Sequence, residues 1–129
     1  MKDRRFIIKS SGEDYQGLAE NEHICMSIAR NAKLDVPNFW LSDDRKLFVI
    51  ERFDIKDDHY LGFEDMTSLM NRQNQEKYNG SYEQVATAIK AFVTPALRRS
   101  SLESLFSTIA LSVLLRNGDA HLKNFGLWR

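Results

Sequence analysis

Residues 102–114 are the most constraining stretch of the chain. Leu102, Leu105, Phe106, Ile109, Ala110, Val113 and Leu114 recur at helical spacing around a wide apolar face, the pattern of a helix buried in a core. Ser100 or Ser101 can cap its start, and Asn117-Gly118 can end it, since glycine is the usual residue just past a helix. A polar loop follows at once, with Asp119, His121, Lys123 and Asn124 inside six residues, and then Phe125 to Trp128 reads as a short strand. An apolar helix and an apolar strand therefore bracket the densest set of reactive side chains in the sequence.

A loop pinned at both ends to buried elements holds its side chains at fixed separation. Phosphoryl transfer uses such a pair: an Asp that accepts a hydroxyl proton, and an Asn a few residues on whose carbonyl oxygen holds magnesium. A polar Asn-Gly turn, with Asp119 and Asn124 satisfying backbone groups, fits the same residues. Spacing alone leaves both readings open.

The remainder predicts one modest α+β domain. Its 129 residues are 43% hydrophobic, enough for a core, and 18 Lys and Arg balance 18 Asp and Glu, so the basic surplus of a dedicated nucleic-acid or anionic-membrane binder is missing. The longest apolar run, 109–115, is far shorter than a membrane span of about 20 residues. A single Cys25 excludes a disulfide framework, and His23, His59 and His121 lack metal-ligand spacing. Only three apolar residues follow the charged N-terminal stretch 2–5, too few for a signal peptide. A soluble cytoplasmic protein is expected.

Along the chain, residues 6–9 read as a strand and 18–31 as a helix with Leu18, Cys25, Ile28, Ala29 and Ala32 on its apolar face. Residues 36–41 and 46–51 form a hairpin around Ser42-Asp43-Asp44-Arg45. Residues 64–71 suggest a short helix, and Ser81-Tyr82-Glu83-Gln84 is a capping box opening a helix to about Val93, before Pro95. Taken singly, Lys9 is an ordinary strand-end lysine, Glu22 a first-turn acid favoured by the helix dipole, and Glu51-Arg52 the polar end of a strand. The aromatics Phe39, Trp40, Phe48 and Phe53 suit a core or a pocket wall.

Gly118-Asp119-Ala120-His121-Leu122-Lys123-Asn124-Phe125 resembles the catalytic loop of the HipA-like kinases, the toxin kinases of bacterial toxin–antitoxin modules. The likeness continues in order along the chain. Glu20-Asn21-Glu22-His23 followed by Leu34-Asp35-Val36-Pro37 is similar to the family's Asn-Glu helix and Val-Pro strand, and Glu51-Arg52-Phe53-Asp54 to its interlobe hinge. Phe63-Glu64-Asp65-Met66, Lys77-Tyr78 and Gly80-Ser81-Tyr82 match further segments.

The resemblance implies a protein-kinase-like two-lobed α+β fold. It divides the domain 1–129 into a partial small lobe at 1–50, a hinge at 51–54 and a helical lobe at 55–129 that ends in the catalytic loop. The implied activity is ATP- and magnesium-dependent phosphorylation of a protein Ser or Thr. Asp119 would be the general base and Asn124 a magnesium ligand. Lys9, His121 and Lys123 would face the ATP phosphates, Glu22 would pair with Lys9, and the main chain of Glu51, Arg52 and Phe53 would meet the adenine. The implied partners are a protein substrate, which in the family includes the translation machinery, and a DNA-binding antitoxin that brings any nucleic-acid contact.

A family site also uses a Gly-rich loop before the lysine strand and a metal-binding Asp after the catalytic loop. Only eight residues precede Lys9, and no acid lies between Asn124 and Arg129. A slice of a longer kinase or a truncated product is therefore expected, with little activity alone. The alternatives are a small-molecule phosphotransferase of the aminoglycoside or choline kinase type, or a non-enzymatic remnant that binds a partner.

Overall fold

The computed structural model describes residues 5–13, 15–56, 59–71, 80–117 and 120–128. The chain forms two compact units, Met1–Tyr60 and Leu61–Arg129.

The first unit is a three-stranded antiparallel sheet covered by one helix. Strand β1 (Phe6–Ser10) and strand β2 (Phe39–Leu41) flank β3 (Leu47–Glu51), with Lys9 opposite Phe48 and Phe39 opposite Ile50. The β2–β3 connection is the expected polar hairpin: Asp44 accepts from the Ser42 hydroxyl and the Lys46 amide, and Arg45 takes the left-handed conformation at φ 60°. These donors hold the Asp44 carboxyl below its ordinary range, the Ser42 hydroxyl contributing most.

Helix α1 (Leu18–Asn31) spans the residues that periodicity indicates, but it turns a different stripe inward. Ala19 and Ala29 are buried and Met26 packs on Phe39 and Phe48, whereas Ile28 is exposed. Two alanines a helical stripe apart let the helix axis come close to the bulky phenylalanines of the sheet, and this close packing outweighs the larger side chains at 25 and 28. His23 lies edge-on to Phe39, and the Arg30 guanidinium stacks 4.1 Å from the same ring while donating to the Pro37 carbonyl. The start is closed by the Ser11 hydroxyl, which accepts from the Ala19 amide at 3.0 Å. After β3 comes a small hairpin, β4 (Ile55–Lys56) with β5 (His59–Tyr60), which clusters with the first unit.

The second unit is helical, with one two-stranded ribbon. Strand β6 (Phe63–Asp65) runs straight into the short helix α2 (Met66–Leu69), capped by the Asp65 carboxylate accepting from the Ser68 amide. Helix α3 (Tyr82–Phe92) opens with the Ser81–Gln84 capping box. Helix α4 (Pro95–Leu114) follows, then a 3-10 turn (Leu122–Asn124) and β7 (Gly126–Trp128), antiparallel to β6. The core is Met66, Val85, Ala88, Ile89, Leu105 and Leu122.

Three sequence expectations for α4 are corrected. It starts at Thr94–Pro95, six residues before Ser101, because proline's fixed φ and missing amide suit the first helical position as well as a helix end. It is not largely buried: Leu105 is buried and Leu102 and Ile109 pack beside it, while Phe106, Val113 and Leu114 are 73%, 67% and 79% exposed. Apolar side chains run all round this helix, and within the unit α3 covers one stripe of it. Its end is made by Arg116 at φ 52°, with Arg116 and Asn117 amides donating to the Val113 and Ser112 carbonyls, so a left-handed residue closes the helix before Gly118 is reached. Lys33 at φ 64° closes α1 in the same way.

Candidate functional site

Cross-strand neighbours share a face, so Lys9, opposite buried Phe48, lies on the side of the sheet that α1 covers. Glu22 sits between Ala19 and Met26 on the inward stripe of α1. The two side chains meet there, Lys9 Nζ donating to Glu22 Oε1 at 2.5 Å. They remain 45% and 29% exposed, so solvent reaches both groups.

At the other end of β3, the amides of Glu51 and Arg52 donate within the sheet, to the Asn38 and Arg5 carbonyls at 2.8 Å each. These two amides are therefore already paired, while a carbonyl keeps a second lone pair that can accept. The Glu51 carboxylate accepts from Asn38 Nδ2. Arg52 forms a two-point fork with Asp54, Nε to Oδ1 at 2.8 Å and a second contact from Nη2 to Oδ2. This fork holds the Asp54 carboxyl below the usual carboxylate range and raises the Arg52 guanidinium further. Phe53 is exposed.

In the second unit the loop before β7 is fixed by its least polar residue. Leu122 is 3% exposed and lies in the core beside Met66, Val85 and Ile89. Gly80 makes room for it: a Cβ there would come within 2.6 Å of the leucine methyls. The Tyr82 hydroxyl donates to the Ala120 carbonyl at 3.4 Å, and its ring meets Phe125 edge-on. The Phe125 carbonyl accepts from the Met66 amide, and Gly126 allows Phe63 to cross at a distance that no side chain would tolerate. Leu122, Gly80 and Tyr82 thus hold the backbone that carries His121, half-buried, and Asn124, exposed. Reading the chain for reactive groups passes over these three residues, although the apolar residue in mid-loop and the Gly-Ser-Tyr step are visible in it.

Asp119, Gly118, the Lys77-Tyr78 pair and the side chain of Lys123 lie outside the described residues. Taken unit by unit, the ammonium beside a carboxylate in the first suits a phosphate, and the amide oxygen on a braced turn in the second suits a hard divalent cation.

The HipA-like C-terminal domain family matches residues 1–129. A Haemophilus influenzae protein is 35% identical over 93% of the chain and a Sinorhizobium fredii protein 27% identical over 95%, and both carry the name "Putative kinase". The chain spans 39% and 32% of their lengths. A solved complex of the Shewanella oneidensis MR-1 toxin–antitoxin system, HipA and HipB with operator DNA, gives a TM-score of 0.77 at 20% identity, covering 96% of this chain and 33% of that one. At that identity the likeness is one of fold.

Proposed function

This chain belongs to the HipA-like C-terminal domain family, and on that premise we propose that it is the nucleotide-binding and catalytic part of a longer two-lobed kinase that transfers phosphate from ATP to a protein Ser or Thr. The observation that carries the proposal is the Lys9–Glu22 pair. A strand lysine held by a helix glutamate is how protein kinases aim an ammonium at nucleotide phosphates, and a lysine so oriented needs no reorganisation when the nucleotide arrives.

In this reading Lys9 neutralises phosphate charge, and carbonyls of 51–53 orient the adenine. Asp119 takes the proton of the attacking hydroxyl, Asn124 supplies an oxygen to the metal, and His121 and Lys123 line the phosphate path. Asn124 would help to hold magnesium, which would supply charge neutralisation at the phosphate oxygens. The bracing of 120–125 by Leu122 and Tyr82 fixes the backbone on which His121 and Asn124 sit. The exposed apolar residues of β1 and α4, such as Ile8, Phe106 and Leu114, are surfaces that the further chain of a longer kinase would cover. A protein substrate and, in keeping with the HipA, HipB and operator DNA complex, a DNA-binding antitoxin are the proposed partners, in the cytoplasm.

The test is to incubate the intact gene product with magnesium and γ-labelled ATP, offering protein and small-alcohol acceptors separately. Label on protein Ser or Thr is expected. Label on small alcohols alone would assign a small-molecule phosphotransferase, and no nucleotide binding at all would leave a non-enzymatic remnant.

A further inference from the structure

We propose that Tyr60 is a positioning residue for the nucleotide base: gripped by Arg5 and Arg52, it fixes the main chain that leaves β3. This inference rests on the proposed nucleotide site, and the observations that carry it concern contacts this site does not use. Tyr60 ends the second strand of a hairpin whose strands are two residues each, and such a hairpin has little stability of its own. The residue is 63% exposed, so it is no part of a core. Its contacts are nonetheless specific. The Arg5 guanidinium donates to the Tyr60 hydroxyl at 3.0 Å and lies 5.7 Å from the ring centroid, and the Arg52 guanidinium lies 5.3 Å from the same centroid.

Arg5 and Arg52 are opposite one another where β1 begins and β3 ends, joined by the Arg52 amide donating to the Arg5 carbonyl. Two like-charged guanidiniums placed across a ladder repel, and an electron-rich ring that attracts both relieves that repulsion. Asp54 completes the arrangement through its fork to Arg52. The segment 51–53 is thus tied at its start by the sheet, at its middle by Arg52, and from the far end of the hairpin by Tyr60. Base recognition through main-chain carbonyls tolerates little displacement, and an acceptor facing an acceptor, as a carbonyl would meet the guanine oxygen, is rejected strongly, so a rigid segment discriminates adenine from guanine better than a loose one.

Magnesium ATP and magnesium GTP are titrated onto the intact protein, wild type and Tyr60→Leu, Tyr60→Phe and Lys9→Ala. Tyr60→Leu is expected to weaken ATP about fivefold while changing GTP little, narrowing the preference, as loss of a hydrogen bond and two exposed cation–π contacts would. Tyr60→Phe keeps the ring and should lose only about twofold, and it serves as the test if Tyr60→Leu does not fold. Amide exchange at Arg52 should quicken in Tyr60→Leu. Wild-type ATP affinity and preference in folded Tyr60 variants, beside a weakened Lys9→Ala, overturn this inference alone. Failure of the wild type to bind either nucleotide overturns it together with the functional reading.

Discussion

The two units fix their candidate site groups by opposite means. In the first, Lys9 is aimed by a half-exposed ion pair, whereas in the second the loop carrying His121 and Asn124 is aimed by burying Leu122. An exposed pair contributes about 0 to 1 kcal/mol, enough to orient the ammonium but little to stability. A buried leucine contributes several times more. Under the proposed function, this contrast would place the nucleotide's partner on a solvent-reached pair and the reacting groups on a backbone held by the core.

Breaking the second arrangement should have the largest effect. Leu122→Ala should cost about 2 to 5 kcal/mol of the second unit's stability by chemical denaturation, and Leu105→Ala a similar amount. Phe106→Ala, on the exposed side of the same helix, should stay within about 0.5 kcal/mol in the 129-residue chain by itself and cost more in a longer kinase whose further chain covers it. A large loss at Phe106 would mean that another surface covers it.

Arg116→Gly should stabilise by about 1 kcal/mol, because a non-glycine residue in the left-handed region carries a steric cost that glycine does not. Thermal melts of this variant check it, and Lys33→Gly should do the same for α1. Glu22→Gln should change stability by less than about 1 kcal/mol, since the pair is exposed. That result would separate its role from the packing of α1, where Ala29→Leu should be clearly destabilising.

The smallest effect expected is on pH. The Arg52 fork lowers the Asp54 carboxyl, so its contribution is present above the unfolded carboxyl value of about 3.9 and is lost as pH falls through the folded one. Asp54→Asn should therefore remove part of the acid sensitivity of the first unit. Melts of the two proteins compared between neutral and acid pH would show identical slopes if the fork contributes nothing.

Much of this was legible in the sequence where local chemistry decides. The capping box at Ser81, the hairpin at 42–45, the bounds of α1 and the strand after the polar loop all follow from residues close in the chain. Faces were less legible, because partners choose them. The inward stripe of α1 is set by Phe39 and Phe48, and the buried stripe of α4 by α3, neither of which periodicity reports. Pro95 is ambiguous in the same way, as one residue serves both as a helix stop and as a first helical position. At the site, the pairing of Lys9 with Glu22 follows from resemblance and from no spacing rule. The support given by Leu122 and Tyr82 lies in tertiary contacts of residues that carry no reactive group.

The central claim is a division of labour, with nucleotide held through Lys9 and chemistry done through Asp119. It is tested by measuring magnesium ATP affinity and phosphate transfer together in the intact protein, for wild type, Lys9→Ala and Asp119→Asn. Asp119→Asn keeps size and polarity but removes the proton acceptor, so transfer should be lost while affinity stays within about twofold. Lys9→Ala should weaken affinity as well as transfer. Wild-type turnover by Asp119→Asn, or wild-type nucleotide affinity in Lys9→Ala, would contradict the account.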